Sequence, residues 1–211
     1  VAALSGDTKG NLSVAMGYGA LNAQNFTTAT DTYNTAIGSL AGAAVTTGVK
    51  NTLLGYGSGA ALTDADKNIA IGFGSLNSDT LGSKSVAIGE QTLNAQNFTT
   101  ATDSHNTAVG FNAGKAVTTG LRHTLIGGLA GDALTDGGNN VALGYASLTT
   151  ETGGSASVAI GNFSLEAQNT NNVNYNVAVG YGSGQSVTTG LFNTFLGGLS
   201  GDAHTTADHN T

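Results

Sequence analysis

Ser85-Val86-Ala87-Ile88-Gly89 decides the fold, because its pattern returns along the whole chain. The apolar triplet and its glycine occur earlier as Val14-Ala15-Met16-Gly17, Thr35-Ala36-Ile37-Gly38, Thr52-Leu53-Leu54-Gly55 and Ile69-Ala70-Ile71-Gly72. They occur later as Thr107-Ala108-Val109-Gly110, Thr124-Leu125-Ile126-Gly127, Val141-Ala142-Leu143-Gly144, Val158-Ala159-Ile160-Gly161, Val177-Ala178-Val179-Gly180 and Thr194-Phe195-Leu196-Gly197. Successive glycines lie 17 residues apart, apart from two steps of 21 and one of 19. Each triplet is rich in β-branched residues and bounded by turn formers, which marks a strand. It is too short to nucleate a helix, and no i, i+3, i+4 stripe crosses the glycines.

Outward from the triplet, each unit holds a second short segment such as Gly19-Ala20-Leu21 or Gly74-Ser75-Leu76. Two short strands per unit, joined by Gly/Asn/Thr turns, predict one flattened turn of a coil. The fold class expected is therefore all-β: a parallel β-solenoid of about eleven coils of 17–21 residues, stacked like other repeat proteins. A longer period of 72 residues relates Gly17, Gly89 and Gly161, and Asn22 through Asp31 returns as Asn94 through Asp103. Asp7-Thr8, Asp79-Thr80 and Glu151-Thr152 fall in the same register. Residues 1–211 read as one repetitive segment of four-coil blocks starting near 13, 85 and 157. Both ends fall inside a block and the first residue is Val1, so the expectation is a piece of a longer chain.

Two columns are structural on this reading. The residue before the triplet is Asn in seven coils, Ser13, Ser85 or Ser157 in three, and His123 in one. Such a column can bond along the stack and cap the turns. The glycine after the triplet (Gly17, Gly38, Gly55, Gly72, Gly89, Gly110, Gly127, Gly144, Gly161, Gly180 and Gly197) suits a positive φ or a close backbone approach. Alternation along a strand sends Val86 and Ile88 one way and Ala87 the other. Both directions are apolar, and a thin coil covers only one. The middle residues Ala15, Ala36, Leu53, Ala70, Ala87, Ala108, Leu125, Ala142, Ala159, Ala178 and Phe195 are the expected contact with an identical chain, in an obligate homo-oligomer.

Composition narrows the function. The chain has 33 Gly, no Pro, Cys or Trp, and only 9% charged residues, too little large apolar volume for one round core. The net charge is −7, and the basic residues Lys9, Lys50, Lys67, Lys84, Lys115 and Arg122 are spread singly along the sequence, so neither nucleic acid nor an anionic membrane is an expected partner. No cysteine is present for a disulfide or thiolate site, and no run is long enough to span a membrane as a helix. No signal peptide is visible.

Catalysis finds little support, and no cofactor is expected. His105, His123, His204 and His209 fall at unrelated places and read as solvated loop residues, with His204 and His209 near Asp202 and Asp208 only a weak metal pattern. Asp64, Asp66, Asp132 and Asp136 fall in the same kind of loop but lack the repeated spacing of a calcium roll, which leaves room for one weak calcium site at most. Glu90, Glu151 and Glu166 are separated by whole coils rather than paired. Gly17-Tyr18-Gly19 has neither the lysine nor the helix of a phosphate loop. Two patterns bear on recognition. An aromatic follows the glycine at Tyr18, Tyr56, Phe73, Phe111, Tyr145 and Tyr181, for sugar stacking or for shielding the coil edge and packing between chains, the second being favoured. The pairs Thr46-Thr47, Thr118-Thr119 and Thr188-Thr189 recur once per block, which suits turns better than an ice-binding array.

Ser85-Val86-Ala87-Ile88-Gly89, Asn34-Thr35-Ala36-Ile37-Gly38 and Asn68-Ile69-Ala70-Ile71-Gly72 resemble the head repeat of YadA-like trimeric autotransporter adhesins, and are similar to repeats of phage and other virus tail fibres. The resemblance covers essentially the whole chain. It implies a left-handed parallel β-roll, three chains side by side about one axis, and an extracellular role in attachment to a host-cell glycan or protein receptor. Adhesin heads usually have tighter coils, so units such as Asn106 through Gly114 followed by Val117-Thr118-Thr119-Gly120 read more like the viral variety. A virion tail fibre is the leading expectation, a bacterial adhesin head on the outer surface the alternative, and an ice- or glycan-binding solenoid a third reading.

Overall fold

The computed structural model describes residues 2–211. The chain forms two compact units, Val1–Asn106 and Thr107–Thr211, each a stack of parallel solenoid coils. In the first unit the triplets form β2 (Val14–Met16), β4 (Thr35–Ile37), β5 (Thr52–Leu54), β6 (Ile69–Ile71) and β8 (Val86–Ile88). Two-residue strands β1 (Gly10–Asn11), β3 (Thr30–Asp31), β7 (Gly82–Ser83) and β9 (Thr102–Asp103) accompany them. The second unit holds β10 (Thr107–Val109), β11 (Thr124–Ile126), β12 (Val141–Leu143), β13 (Val158–Ile160), β14 (Val177–Val179) and β15 (Thr194–Leu196). No helix occurs among the described residues, and about eleven coils are present in all.

Register follows the repeat. Thr35 pairs with Thr52, Thr52 with Ile69 and Ile69 with Val86, all parallel. Thr124 pairs with Val141, Val141 with Val158 and Val158 with Val177. Each 21-residue coil contains a further two-residue strand, β3 or β9, which pairs in parallel with β1 or β7 of the preceding coil beside the main ladder.

The second segment of each coil is a turn rather than the expected strand. Leu21 and Leu76 take φ of 47° and 49°, left-handed values that break an extended run. Its amides still bond to the next coil: Leu21 N–H donates to the Ala41 carbonyl at 3.1 Å and Leu76 N–H to that of Thr92 at 3.0 Å.

The two faces of the triplet are the reverse of the expectation. Ala36, Leu53, Ala70, Ala87, Ala108, Leu125, Ala142, Ala159 and Ala178 are fully buried inside the chain's own coils; Phe195 is buried too, and Ala15 half-buried. These side chains have no surface left to offer a neighbour. The flanking residues point outward instead. Strand alternation does not say which face is inside, and the size of the middle residue misleads. Leu53, Leu125 and Phe195 are large because the turn position packed against them is glycine. A Cβ on Gly42 would lie 2.6 Å from Leu53 Cδ1, one on Gly131 2.9 Å from Leu125 Cδ2, and one on Gly201 2.3 Å from Phe195 Cδ1. In five other coils a buried leucine (Leu21, Leu76, Leu93, Leu148 or Leu165) occupies that turn position and the middle residue is alanine, while in the coils of Ala36, Ala108 and Ala178 both positions are small and Gly42 and Gly184 lie against large side chains of neighbouring coils. The two positions thus trade volume so that the thin core stays filled.

The strand-end glycines show φ between 119° and 138°. A Cβ on Gly55 would sit 2.6 Å from the Gly72 carbonyl oxygen, and one on Gly72 2.3 Å from that of Gly89. Backbone cannot yield as a side chain can. Gly55→Ala is expected to destabilise the chain by more than about 2 kcal/mol through strain and clash, measured as a fall in the urea midpoint at unchanged slope.

Candidate functional site

Each coil closes on its cap column. Asn34 Nδ2 donates to the Gly48 carbonyl at 2.8 Å while its Oδ1 accepts the Asn51 N–H of the next coil at 2.9 Å. Asn51 and Asn68 repeat this with Ala65 and Gly82 and with the next coil's amides. Asn140, Asn176 and Asn193 do so in the second unit. Buried amides are thereby satisfied along and across the stack.

Where the cap is serine, its reach is too short and a clamp replaces it. Gln96, fully buried, donates to Ser85 Oγ at 2.8 Å and to Asp79 Oδ2 at 2.6 Å, and accepts from Asn106 Nδ2 at 2.8 Å. The other oxygen of Asp79 accepts the Gly82 and Phe98 N–H groups, both at 3.0 Å. Gln168, Ser157 and Glu151 repeat the arrangement, with Glu151 Oε1 taking the amides of Thr152, Gly154 and Thr170. Gln24, Ser13 and Asp7 form a third copy. Burial pushes the Asp7 carboxyl up, but the donors Gln24, Gly10, Lys9 and Phe26 outweigh it and hold it below the usual carboxylate range. The clamps tether the longer coils. The spacing that reveals them, a carboxylate six residues before the serine and a glutamine eleven after, is legible in the sequence but was read only as register.

His123 is a buried cap rather than a solvated loop residue. Burial lowers its pKa from 6.5 to about 4, against the opposing effect of its hydrogen bond to the Gly137 backbone. His209 stacks on Phe192 at 4.9 Å and His204 lies 5.5 Å from Phe195, so the two do not form a metal pair. No cluster of three potential metal ligands occurs among the described residues. Asp64 accepts from Thr47 Oγ1 and Asp66 from the Val49 N–H, while Asp136 accepts from Thr135 Oγ1. Asp132 accepts from Thr149 Oγ1. Glu166 accepts from Gln185, Glu151 belongs to its clamp, and Glu90 is exposed. The first threonines of the pairs belong to columns spanning successive coils: Thr46, Thr63 and Thr80 donate to the carbonyls of Thr63, Thr80 and Phe98. Their hydroxyls are spent on the turn.

What remains for recognition is the outside of the strand ladder. Its outward residues Leu54, Ile69, Ile126 and Leu143 are exposed by 43, 37, 38 and 44%, which is high for large aliphatic side chains in a sheet. The aromatics after the glycine are all outward, between 49 and 59% exposed. Tyr56 and Phe73 stack on each other with centroids 5.2 Å apart and 15° between planes, so their facing sides are covered and mainly their edges look outward. Tyr145, Phe163 and Tyr181 meet edge to face. On the other border of the ladder a left-handed corner column carries Lys50, Lys67 and Lys84 in consecutive coils, so three of the lysines that are scattered in sequence are stacked in space. Lys84 is ion-paired with Asp103. Tyr175 and Phe192 stack in the same column of the second unit, 5.5 Å apart.

Two outcomes follow. Glu151→Gln sets an amide NH2 against the donors of Gln168 and Asn174 and should cost about 2–3 kcal/mol, read as a lower denaturation midpoint. The lowered pKa of His123 means that the unfolded chain takes up that proton first. Stability should therefore be full above pH 6.5 and fall between there and about pH 4, by about 3 kcal/mol, and His123→Asn should flatten that part of the profile.

No protein-family model, curated protein or solved structure matches this chain.

Proposed function

We propose that the chain is a repetitive segment of a homotrimeric, YadA-like fibre, the shaft or head of a phage or virus tail fibre that attaches outside the cell to a host surface. One observation carries this reading: a column of aliphatic and threonine side chains exposed along the outside of the strand ladder in both units. A ladder face whose outward aliphatic side chains are exposed or half-exposed coil after coil is suited to contact. Its regular repeat suits a partner with the same repeat, and that partner is another copy. Supporting the structural rather than enzymatic role, the buried carboxylates and the cap histidine are committed to holding coils together. The 17-residue unit favours the viral fibre over the more tightly coiled adhesin heads.

The neighbours Leu53 and Leu54 test it. Leu53 is fully buried and Leu54 is 43% exposed. Light scattering of the wild type should give three chain masses. Leu54→Asp should keep the β-sheet circular dichroism but run as a single chain, because a carboxylate buried unpaired between chains costs several kcal/mol. Leu53→Asp should unfold the coil itself. A wild-type chain that is folded and monodisperse as one copy would overturn the reading.

A further inference from the structure

The outward face is bordered by two columns that, over three consecutive coils, are basic on one side and aromatic or acidic on the other. On one side, in the left-handed corner, stand Lys50, Lys67 and Lys84. On the other, after the strand-end glycine, stand Tyr56, Phe73 and Glu90. Strand register places each set in three consecutive coils. Three ammonium groups at a rung spacing of about 4.8 Å repel one another. Within the chain only Lys84 has a carboxylate partner, Asp103, among the described residues. Glu90 is exposed and forms no ion pair among the described residues. The exposed Glu90 carboxylate is therefore left for a group of positive charge from outside the chain.

We infer that copies of the chain meet parallel and coil for coil, the corner column of one lying against the post-glycine column of the next. This rests on the assembly proposed above and specifies its contact. In that register Lys84 reaches the next copy's Glu90, and the aliphatic stems of Lys50 and Lys67 lie along the next copy's Tyr56 and Phe73 while their ammonium groups stay in water. In the second unit the large corner residues Arg122 and Phe192 would face Gly128 and Gly198 of the neighbour, while Tyr175 would meet Tyr181 ring to ring. An antiparallel, self-complementary contact would instead set lysine column against lysine column, where like charges oppose each other. The copies are therefore related by rotation about an axis along the stack, which closes them into a ring.

The absence of cysteine makes the test clean. Lys84→Cys with Glu90→Cys in one chain should, on mild oxidation, give a covalent ring of the full assembly mass on a denaturing gel, lost on reduction. Each single variant should stay at one chain mass. Within a chain the strand holds the two positions on the order of 15–20 Å apart, beyond disulfide reach. Covalent dimers from either single variant, or an assembled double variant that does not cross-link, would overturn this register while leaving the assembly intact. Light scattering under reducing conditions separates the cases: if the variants and the wild type are all single chains, the assembly itself falls, and this contact with it. A charge swap provides a second reading. Glu90→Lys, which leaves the Lys84–Asp103 pair untouched, should raise the concentration of half-dissociation by about tenfold. Glu90→Gln, which removes the charge without reversing it, should give a smaller rise, and an unchanged value in both variants would count against the pairing.

Discussion

In a stacked coil every side chain has its counterpart from the next coil about 4.8 Å away, and this one constraint governs which residues each column accepts. A column must be able to meet itself. Asparagine can, because its amide donates across its own coil while its carbonyl takes the next coil's amide, as Asn34, Asn51 and Asn68 do in turn. Glycine can where backbones approach, as between Gly55 and Gly72. Alanine can in the core when a left-handed leucine fills the turn beside it. Unpaired charge cannot, which is why the fully buried carboxylates Asp79 and Glu151 stand in single coils, each surrounded by donors instead of by another acid.

The clamps show how a strict repeat tolerates irregularity. A coil lengthened from 17 to 21 residues must project its extra residues without losing the cap. Serine at the cap leaves a gap that glutamine fills, and the carboxylate behind it gathers the amides of the lengthened turn. Asp79 thus bonds both Gly82, in its own coil, and Phe98, in the next. The polar cluster specifies where length may vary, a role for which buried polar groups are better suited than apolar ones, since their hydrogen bonds are directional.

Much of this was legible in the residues. The triplet spacing gave the coil, its length and its parallel register, because a strand signal that returns at a constant interval leaves few other arrangements. Three things were not legible, for distinct reasons. The turn at Leu21 and Leu76 looks like a strand because a buried leucine in a left-handed conformation carries no mark of its own. The inside and outside of the ladder were exchanged because period two gives alternation but no origin. The volume exchange between Leu53 and the glycine turns was what identified the inside. The lysine column was hidden because residues 17 apart are distant in sequence yet adjacent in space once the coil closes.

Turning the ladder the right way out also changes what it can do. With alanines outward, the exposed surface would be shallow and smooth, offering little to fix one neighbour's height against another. With Leu54, Ile69, Ile71 and Ile88 outward, and lysine and aromatic columns along its borders, the surface has ridges that repeat at the rung spacing. A repeat of that kind is ambiguous by itself, since sliding by one rung re-forms nearly the same aliphatic contacts. Departures from repetition remove the ambiguity: Glu90 where other coils have an aromatic, a glycine, Ser39 or Asn162, and Lys84 at the opposite border of the same coil. In the assembly proposed above, the regular residues would supply adhesion between chains and the irregular ones register, the same division of labour that caps and clamps show inside each coil.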